Sequence, residues 1–218
     1  MTNYDLYRLL NLVINKDVYA NAISPTEFDL QLRAKSIILF TSKIPSEKSI
    51  NTQQVGVGVS RATQHDLSPF LIDSGFPVTQ SVAVVPGLYY CENFYSDASL
   101  TSELISLGEV ASRLKSFIKP PSENHLVGYI IPDGLKVLGM ASGVINIIGY
   151  RLPTDPAFYL TTNPETLDSY YDPIRSRELE WSEGCKLDIL YLILQDMGVI
   201  IERQEVSQLA NKLLITGK

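Results

Sequence analysis

Along the chain the apolar positions keep a helical period at both ends and lose it in the middle. Leu6, Leu9, Leu10, Val13 and Ile14 recur at helical spacing and predict a first helix, with Thr2 or Asn3 in position to cap it. Ser24-Pro25-Thr26-Glu27 reads as a capping box with proline at the first helical position. The helix it opens is expected to carry Phe28, Leu32, Ile38 and Leu39 and to end near Ile44-Pro45. A turn over Asp17 to Ile23 would fold the two into an antiparallel hairpin.

From Ser46 the periodicity fades. Ser46 to Gln54 is polar, and "VGVGVSRATQHD" places glycines where a helix or strand would suffer, so residues 46 to 66 read as a loop or arm. Gly56 and Gly58 lack the third glycine of a dinucleotide fingerprint and the Gly-Lys-Ser/Thr of a nucleotide-triphosphate loop. Short strands follow. Val78, Val82, Val84-Val85 and Leu88 to Tyr90 are interrupted by Pro86-Gly87, and two apolar runs flank the turn signal Pro132-Asp133-Gly134. "GVINIIGYRLP" adds another strand. Between them Val110, Leu114 and Phe117 share helical spacing, so Glu103 to Ile118 could hold a helix. No strand–helix–strand alternation repeats, which favours a mainly antiparallel sheet over a parallel one.

Near Trp181 the rhythm changes again. Glu178-Leu179-Glu180-Trp181 alternates as a half-buried strand does, while Leu187, Leu190, Tyr191 and Leu194 return to helical spacing. Ser182 is placed to cap that helix and Gly198 to end it. Val206, Leu209, Ala210, Leu213 and Leu214 predict a last amphipathic helix. The expected fold class is α+β: a bundle of N- and C-terminal helices with an inserted, mainly antiparallel β domain. Its expected parts are a helical hairpin over 1–45, a loop or arm with a β-rich domain over 46–176, and C-terminal helices over 177–218. Trp181 and Ser182 then form the structural junction, with the tryptophan locking the last strand onto the following helix and its indole N–H finding a nearby acceptor.

Composition narrows the chemistry. Eighteen basic against 24 acidic residues give a formal net charge of −6, without the basic footprint of a tight duplex binder. No window reaches the ~18 to 20 apolar residues of a membrane span. The N-terminal Met1-Thr2-Asn3-Tyr4-Asp5 has no basic start or apolar run, so a soluble protein made inside the cell is expected. Cys91 and Cys185 lie far apart without CxxC spacing, and there are only two histidines, which argues against a disulfide framework or a zinc site. Both cysteines are expected to pack as small apolar residues.

Catalytic candidates are few. His65 adjoins Asp66, and His125 lies in an expected loop after Pro120-Pro121; a hydrolase built on them would need a pocket joining them. Glu178 and Glu180 share one strand face, where Arg175 and Arg177 are the expected salt-bridge partners. Tyr89, Tyr90, Tyr170 and Tyr171 are the candidate inter-subunit or partner contacts, since aromatic pairs anchor protein interfaces.

The order of several segments resembles the virion ring, or head-to-tail connector, proteins of crAss-like tailed bacteriophages. The segments are "LYRLLNLVINKDVYANAISPTEFDLQLRAKSIILF", "RATQHDLSPFL", "GEVASRLKSFIKPPSENHLVGYII", "INIIGYRLPTDPAF" and "LEWSEGCKLDILYLILQDMGVIIERQEVSQLANK". None is a catalytic signature, and their collinear order carries the likeness over nearly the whole chain. The resemblance implies a structural role: a homo-oligomeric ring with the portal's symmetry, about twelve copies, stacked below the portal protein. Such a ring extends the DNA channel and docks the tail. DNA would pass through without sequence-specific binding. The resemblance further implies a place in the virion after synthesis in the host cytoplasm, other ring or tail proteins as neighbours, no membrane, no cofactor and no catalytic residue. The alternative is another tail-completion or adaptor protein that binds a single partner, with one dominant apolar patch.

Overall fold

The computed structural model describes residues 1–14, 23–44, 61–97, 99, 101–162 and 169–197. The expected turn over 17–22, the connection over 46–60 with Gly56 and Gly58, and the last helix with Val206 to Leu214 lie outside the described residues. The fold is α+β, and the chain divides into two units: Met1–Pro45 with Pro153–Lys218, and Ser46–Leu152. The second division falls at Leu152, not at 176. Residues 153–176 belong with the helices because their hydrogen bonds go there: the Phe158 N–H donates to Asp29 (2.8 Å), and Ala157 pairs with Arg177.

In the helical unit α1 spans Asn3–Ile14 and α2 Pro25–Lys43. Thr2 is the cap of α1, its hydroxyl accepting from the Asp5 N–H (3.1 Å) while Asp5 accepts from the Thr2 N–H (2.7 Å). Ser24 and Glu27 close the reciprocal capping box at α2 (3.2 and 3.1 Å). The backbone N–H and hydroxyl of Ser24 hold the Glu27 carboxyl below its ordinary pKa. α1 buries the apolar stripe read from its spacing. α2 buries Phe28, Leu32, Lys35, Ser36, Leu39 and Phe40; Ile38, expected inside, is 48% exposed. Its inward row follows Leu32–Ser36–Leu39–Phe40, which turns Ile38 to the outer side. A short hairpin, β8 (Leu160–Thr162) with β9 (Ser169–Tyr171), precedes the last described helix.

In the sheet unit residues 61–66, expected to continue the loop or arm, are instead helical: α3 (Arg61–Leu67), free of the glycines that precede it, leads through a 3-10 turn into seven strands. These are β1 (Leu71–Thr79), β2 (Val82–Val84), β3 (Leu88–Tyr95), β4 (Thr101–Leu104), β5 (His125–Ile131), β6 (Gly134–Leu138) and β7 (Ser142–Arg151). Their order is β3-β7-β1-β2-β6-β5-β4, antiparallel throughout except for β4 beside β5. A 3-10 turn and the five-residue α4 (Val110–Leu114) make that one parallel crossover. The two ends of the order approach each other, so the sheet rolls up. A Cβ on Gly128 of β5 would lie 2.8 Å from the Phe94 ring of β3, so only glycine allows this approach. Inside lie Phe94, Leu126, Leu135, Val137, Ile145 and Ile147, all fully buried.

Two turns fix the register. Pro132-Asp133 joins β5 to β6 as expected, and Gly134 takes a φ of +144° with its Cα against the Ala83 carbonyl. Gln80-Ser81 joins β1 to β2 with both residues in the left-handed region. That strain is offset from outside the turn: the Ser81 N–H donates to the Ala141 carbonyl (3.0 Å), and the Gln80 carbonyl accepts from the Lys136 ammonium (3.2 Å). Helix in the Glu103–Ile118 stretch is confined to the 3-10 turn and α4, and Leu114 and Phe117 are exposed rather than buried.

Candidate functional site

In the helical unit the last described helix, α5, spans Glu183–Asp196, and Ser182 caps it, its hydroxyl accepting from the Cys185 N–H (3.5 Å). Trp181 is 3% exposed. Its indole N–H donates to the Ser36 hydroxyl (2.8 Å), and its ring meets Phe40 edge-on with centroids 6.5 Å apart. Both partners belong to α2, so Trp181 closes a joint within the helical unit and not one between strand and helix. The expected strand over Glu178–Trp181 is an extended segment with a single bridge, Ala157 to Arg177. Its alternation still holds: Leu179 and Trp181 are buried while Glu178 and Glu180 are half-exposed.

What holds this segment is Asn3, which is fully buried. Its amide donates to the Arg177 carbonyl (2.9 Å) and accepts from the Leu179 N–H (3.2 Å), replacing the ladder that a neighbouring strand would supply. The Asn3 backbone N–H donates to Glu178 (2.6 Å). Glu178 also accepts from the Tyr171 hydroxyl, and Glu180 accepts from the Thr154 N–H (2.9 Å). These bonds stand where the spacing led us to expect pairing with Arg175 and Arg177. Arg175 instead lies over the Tyr159 ring at 4.9 Å, and Arg177 donates to the Asp155 carbonyl (3.2 Å).

The four candidate tyrosines divide evenly. Tyr171 stacks between Tyr4 (5.5 Å) and Phe158 (5.9 Å), and burial together with the Glu178 carboxylate pushes its phenol up to about 12. Tyr90 is half-buried and stacks on Tyr150 (6.4 Å), its pKa raised chiefly by burial. Both serve packing within their own unit. Tyr89 is 43% and Tyr170 54% exposed, and these two remain surface residues.

The histidines are not brought together in one pocket. His65 and Asp66 lie on α3. His125 opens β5, where its Nδ1 meets the hydroxyl of its parallel-strand partner Thr101 at 2.7 Å. Its Nε2 is 3.5 Å from Glu103, near enough to pair as charges but not aligned as a hydrogen bond. Glu103 is held in turn by Arg113 of α4. A cavity of about 400 Å³ opens beside them, with Glu103, Glu109, Ser112, Arg113 and Ser116 as its polar lining; His125 and His65 are not among the lining residues. A hydroxyl, an imidazole and a carboxylate thus stand in line. The Thr101–His125 contact is also what a polar cross-strand pair requires, and Arg113 already neutralises the carboxylate.

Both cysteines are buried thiols outside any disulfide, and burial pushes the Cys91 thiol up to about 12, which keeps it protonated and inert. Among the described residues no group of three or more His, Cys, Asp or Glu could hold a metal ion, and no helix is long and apolar enough to cross a membrane.

The sheet unit exposes several large apolar groups, a feature the tyrosine pairs did not reveal. Phe117 and Ile118 are 101% and 91% exposed, with Leu107 (72%) and Leu114 (56%) nearby in the chain. On the outer side of the sheet Val144 (59%) and Val84 (60%) are exposed as well. Comparison with models of known protein families gives no match, and comparison with curated proteins gives none either.

Proposed function

We propose that this chain is a structural virion protein that forms a ring below the portal of a tailed bacteriophage, extending the DNA channel and giving the tail a docking surface. In this reading helices from both chain ends form a bundle, and the β domain inserted between them meets neighbouring copies. The collinear sequence resemblance supplies the identity of the assembly. The observation that carries the reading is that one compact unit exposes apolar side chains in two dissimilar places, the Leu107–Ile118 segment and the outer sheet face. A closed cyclic assembly needs such a pair, because each copy must meet one neighbour with one patch and the other neighbour with a different one. A net charge of −6 suits a channel wall along which DNA slides without adhering to it.

The reading is tested by the absolute mass of the purified full chain from light scattering, alone and with a candidate portal protein. A closed oligomer of about twelve copies in either condition is expected. A monomer or dimer in both would overturn the ring and favour a single-partner adaptor.

A further inference from the structure

Three features of the described residues are candidates for a further contact or chemistry: the Thr101–His125–Glu103 line, the outward apolar residues of α2, and the exposed apolar groups of the sheet unit. The first is accounted for by strand pairing, and nothing shows what covers the second. The third contains its own complement.

The segment Lys115-Ser116-Phe117-Ile118-Lys119 follows α4 and runs into Pro120-Pro121, so it cannot continue the helix. It presents two nearly fully exposed apolar side chains between two exposed lysines. On the outer sheet face Val144 pairs directly with Pro77, and Val84 pairs directly with Gly134. The Val78–Ala83 pairing sets Pro77 and Val84 side by side, so Val144, Pro77 and Val84 form one exposed row across β7, β1 and β2 that ends at buried Gly134 of β6. Their strand neighbours Val78, Ala83, Leu135 and Ile145 point into the core, which fixes the row as outward. Three strands at their usual spacing make the row about 10 Å long. Lys115 to Lys119 spans at most about 14 Å, enough to cross it. Gly134 is buried, the place of its missing side chain taken by the Ala83 carbonyl and the Val85 N–H, while exposed Gly75 carries no side chain beside Val144. Exposed Asp73 lies on the same face of β1, and exposed Asp133 precedes Gly134 at the row's far end. Lys136 on this face donates to the Gln80 carbonyl.

We infer that the Phe117–Ile118 tip of one copy docks on the Val144–Pro77–Val84 row of a second copy of this chain, with Lys115 and Lys119 meeting Asp73 and Asp133. The two patches differ in shape and charge, so the contact is head-to-tail and leaves each copy with one of each to offer. The inference rests on the ring reading and names its interface.

Single-cysteine substitution tests it in the full chain. Phe117→Cys and Val84→Cys variants are mixed under mild oxidation, with Phe117→Cys and Ile174→Cys as the control mixture. Ile174 is 94% exposed and belongs to the other unit, while the native Cys91 and Cys185 are buried. The mixed disulfide is expected to form at least tenfold more with Val84→Cys than with the control. Lys115→Glu with Lys119→Glu should cut that yield severalfold, and Asp73→Lys with Asp133→Lys in the partner copy should restore it. Equal yields with both mixtures, or a tip that binds anionic phospholipid vesicles and no second copy, would overturn the contact.

Mass readings separate its failure from that of the ring. If the wild type is a closed oligomer that the Phe117→Ser/Ile118→Ser variant leaves intact, the contact falls and the ring stands. If the wild type stays monomeric yet cross-links selectively, the ring falls and the contact stands. A monomer that does not cross-link selectively overturns both.

Discussion

The two units solve the problem of holding distant chain segments together in different ways. The helical unit joins the two halves of a divided chain, and it does so with polar bonds placed inside an aromatic core. Asn3 reaches Arg177 and Leu179, Trp181 reaches Ser36, and Asp29 reaches Phe158. Phe28 meets Phe158 edge to face, and Tyr7 packs tilted against both, with centroids 5.0 to 5.2 Å apart. The sheet unit is one continuous stretch of chain whose ladders close most of its backbone bonds, and its buried cluster around Phe94 and Cys91 is otherwise aliphatic, with Phe70 and Tyr150 buried elsewhere in the unit. Buried polar bonds between remote segments specify a partner, because a mismatch strands an unpaired group. An aliphatic interior specifies little by itself, and here the twin glycine approaches and the turns supply register. The helical unit therefore resembles a staple, and the sheet unit a platform whose apolar surplus is turned outward.

The largest expected effect comes from breaking the staple. Trp181→Ala should destabilise the helical unit by about 3 to 5 kcal/mol, read by far-UV circular dichroism during urea unfolding because the only tryptophan is lost. A cost below about 1 kcal/mol would contradict the buried joint. Asn3→Ala comes next. It strands the Arg177 carbonyl and the Leu179 N–H and should cost about 2 to 3 kcal/mol, with no change in the assembly state at matched folded fraction. If Asn3→Ala were neutral, the extended segment would have another anchor.

Tyr171 gives the smallest effect, seen only as a change with pH. Its phenol is protonated in the fold and its pKa is raised to about 12 from an ordinary 10, so its contribution is fully present below pH 10 and is lost as pH rises through about 12. The stability difference between the wild type and Tyr171→Phe should stay constant up to pH 10 and narrow from there to 12. A difference that does not change over that window would mean that Tyr171 is not held by burial and Glu178.

Local signals were legible wherever the chain answers to its own neighbours. The Ser24–Glu27 box, the Ser182 cap, the Pro132-Asp133 turn and the α1 stripe are all set by residues within a few positions of one another, and the structure has each of them. What escaped depends on distant partners. Glu178–Trp181 alternates like a strand, yet its ladder partner is the side chain of Asn3. Gln80-Ser81 lacks the Asn-Gly signature of a left-handed turn because Ala141, just before β7, and Lys136 of β6 stabilise it from outside the turn. Ile38 and Phe117 fit helical stripes in spacing, but α2 turns the first outward and Pro120-Pro121 helps end the helix before the second can be used. Of the tyrosines, spacing cannot separate a stacked Tyr171 from an exposed Tyr170. The exposed tip was readable only as apolar residues beside a proline pair.

The contrast between staple and platform is tested most directly by hydroxyl-radical footprinting of the full chain across a concentration series that spans assembly. Phe117, Ile118, Pro77, Val84 and Val144 should lose reactivity together as the mass rises, while buried Trp181 stays unreactive throughout. Assembly that leaves those five side chains reactive, or that protects Leu30, Ile37 and Ile38 of α2 in their place, would contradict it.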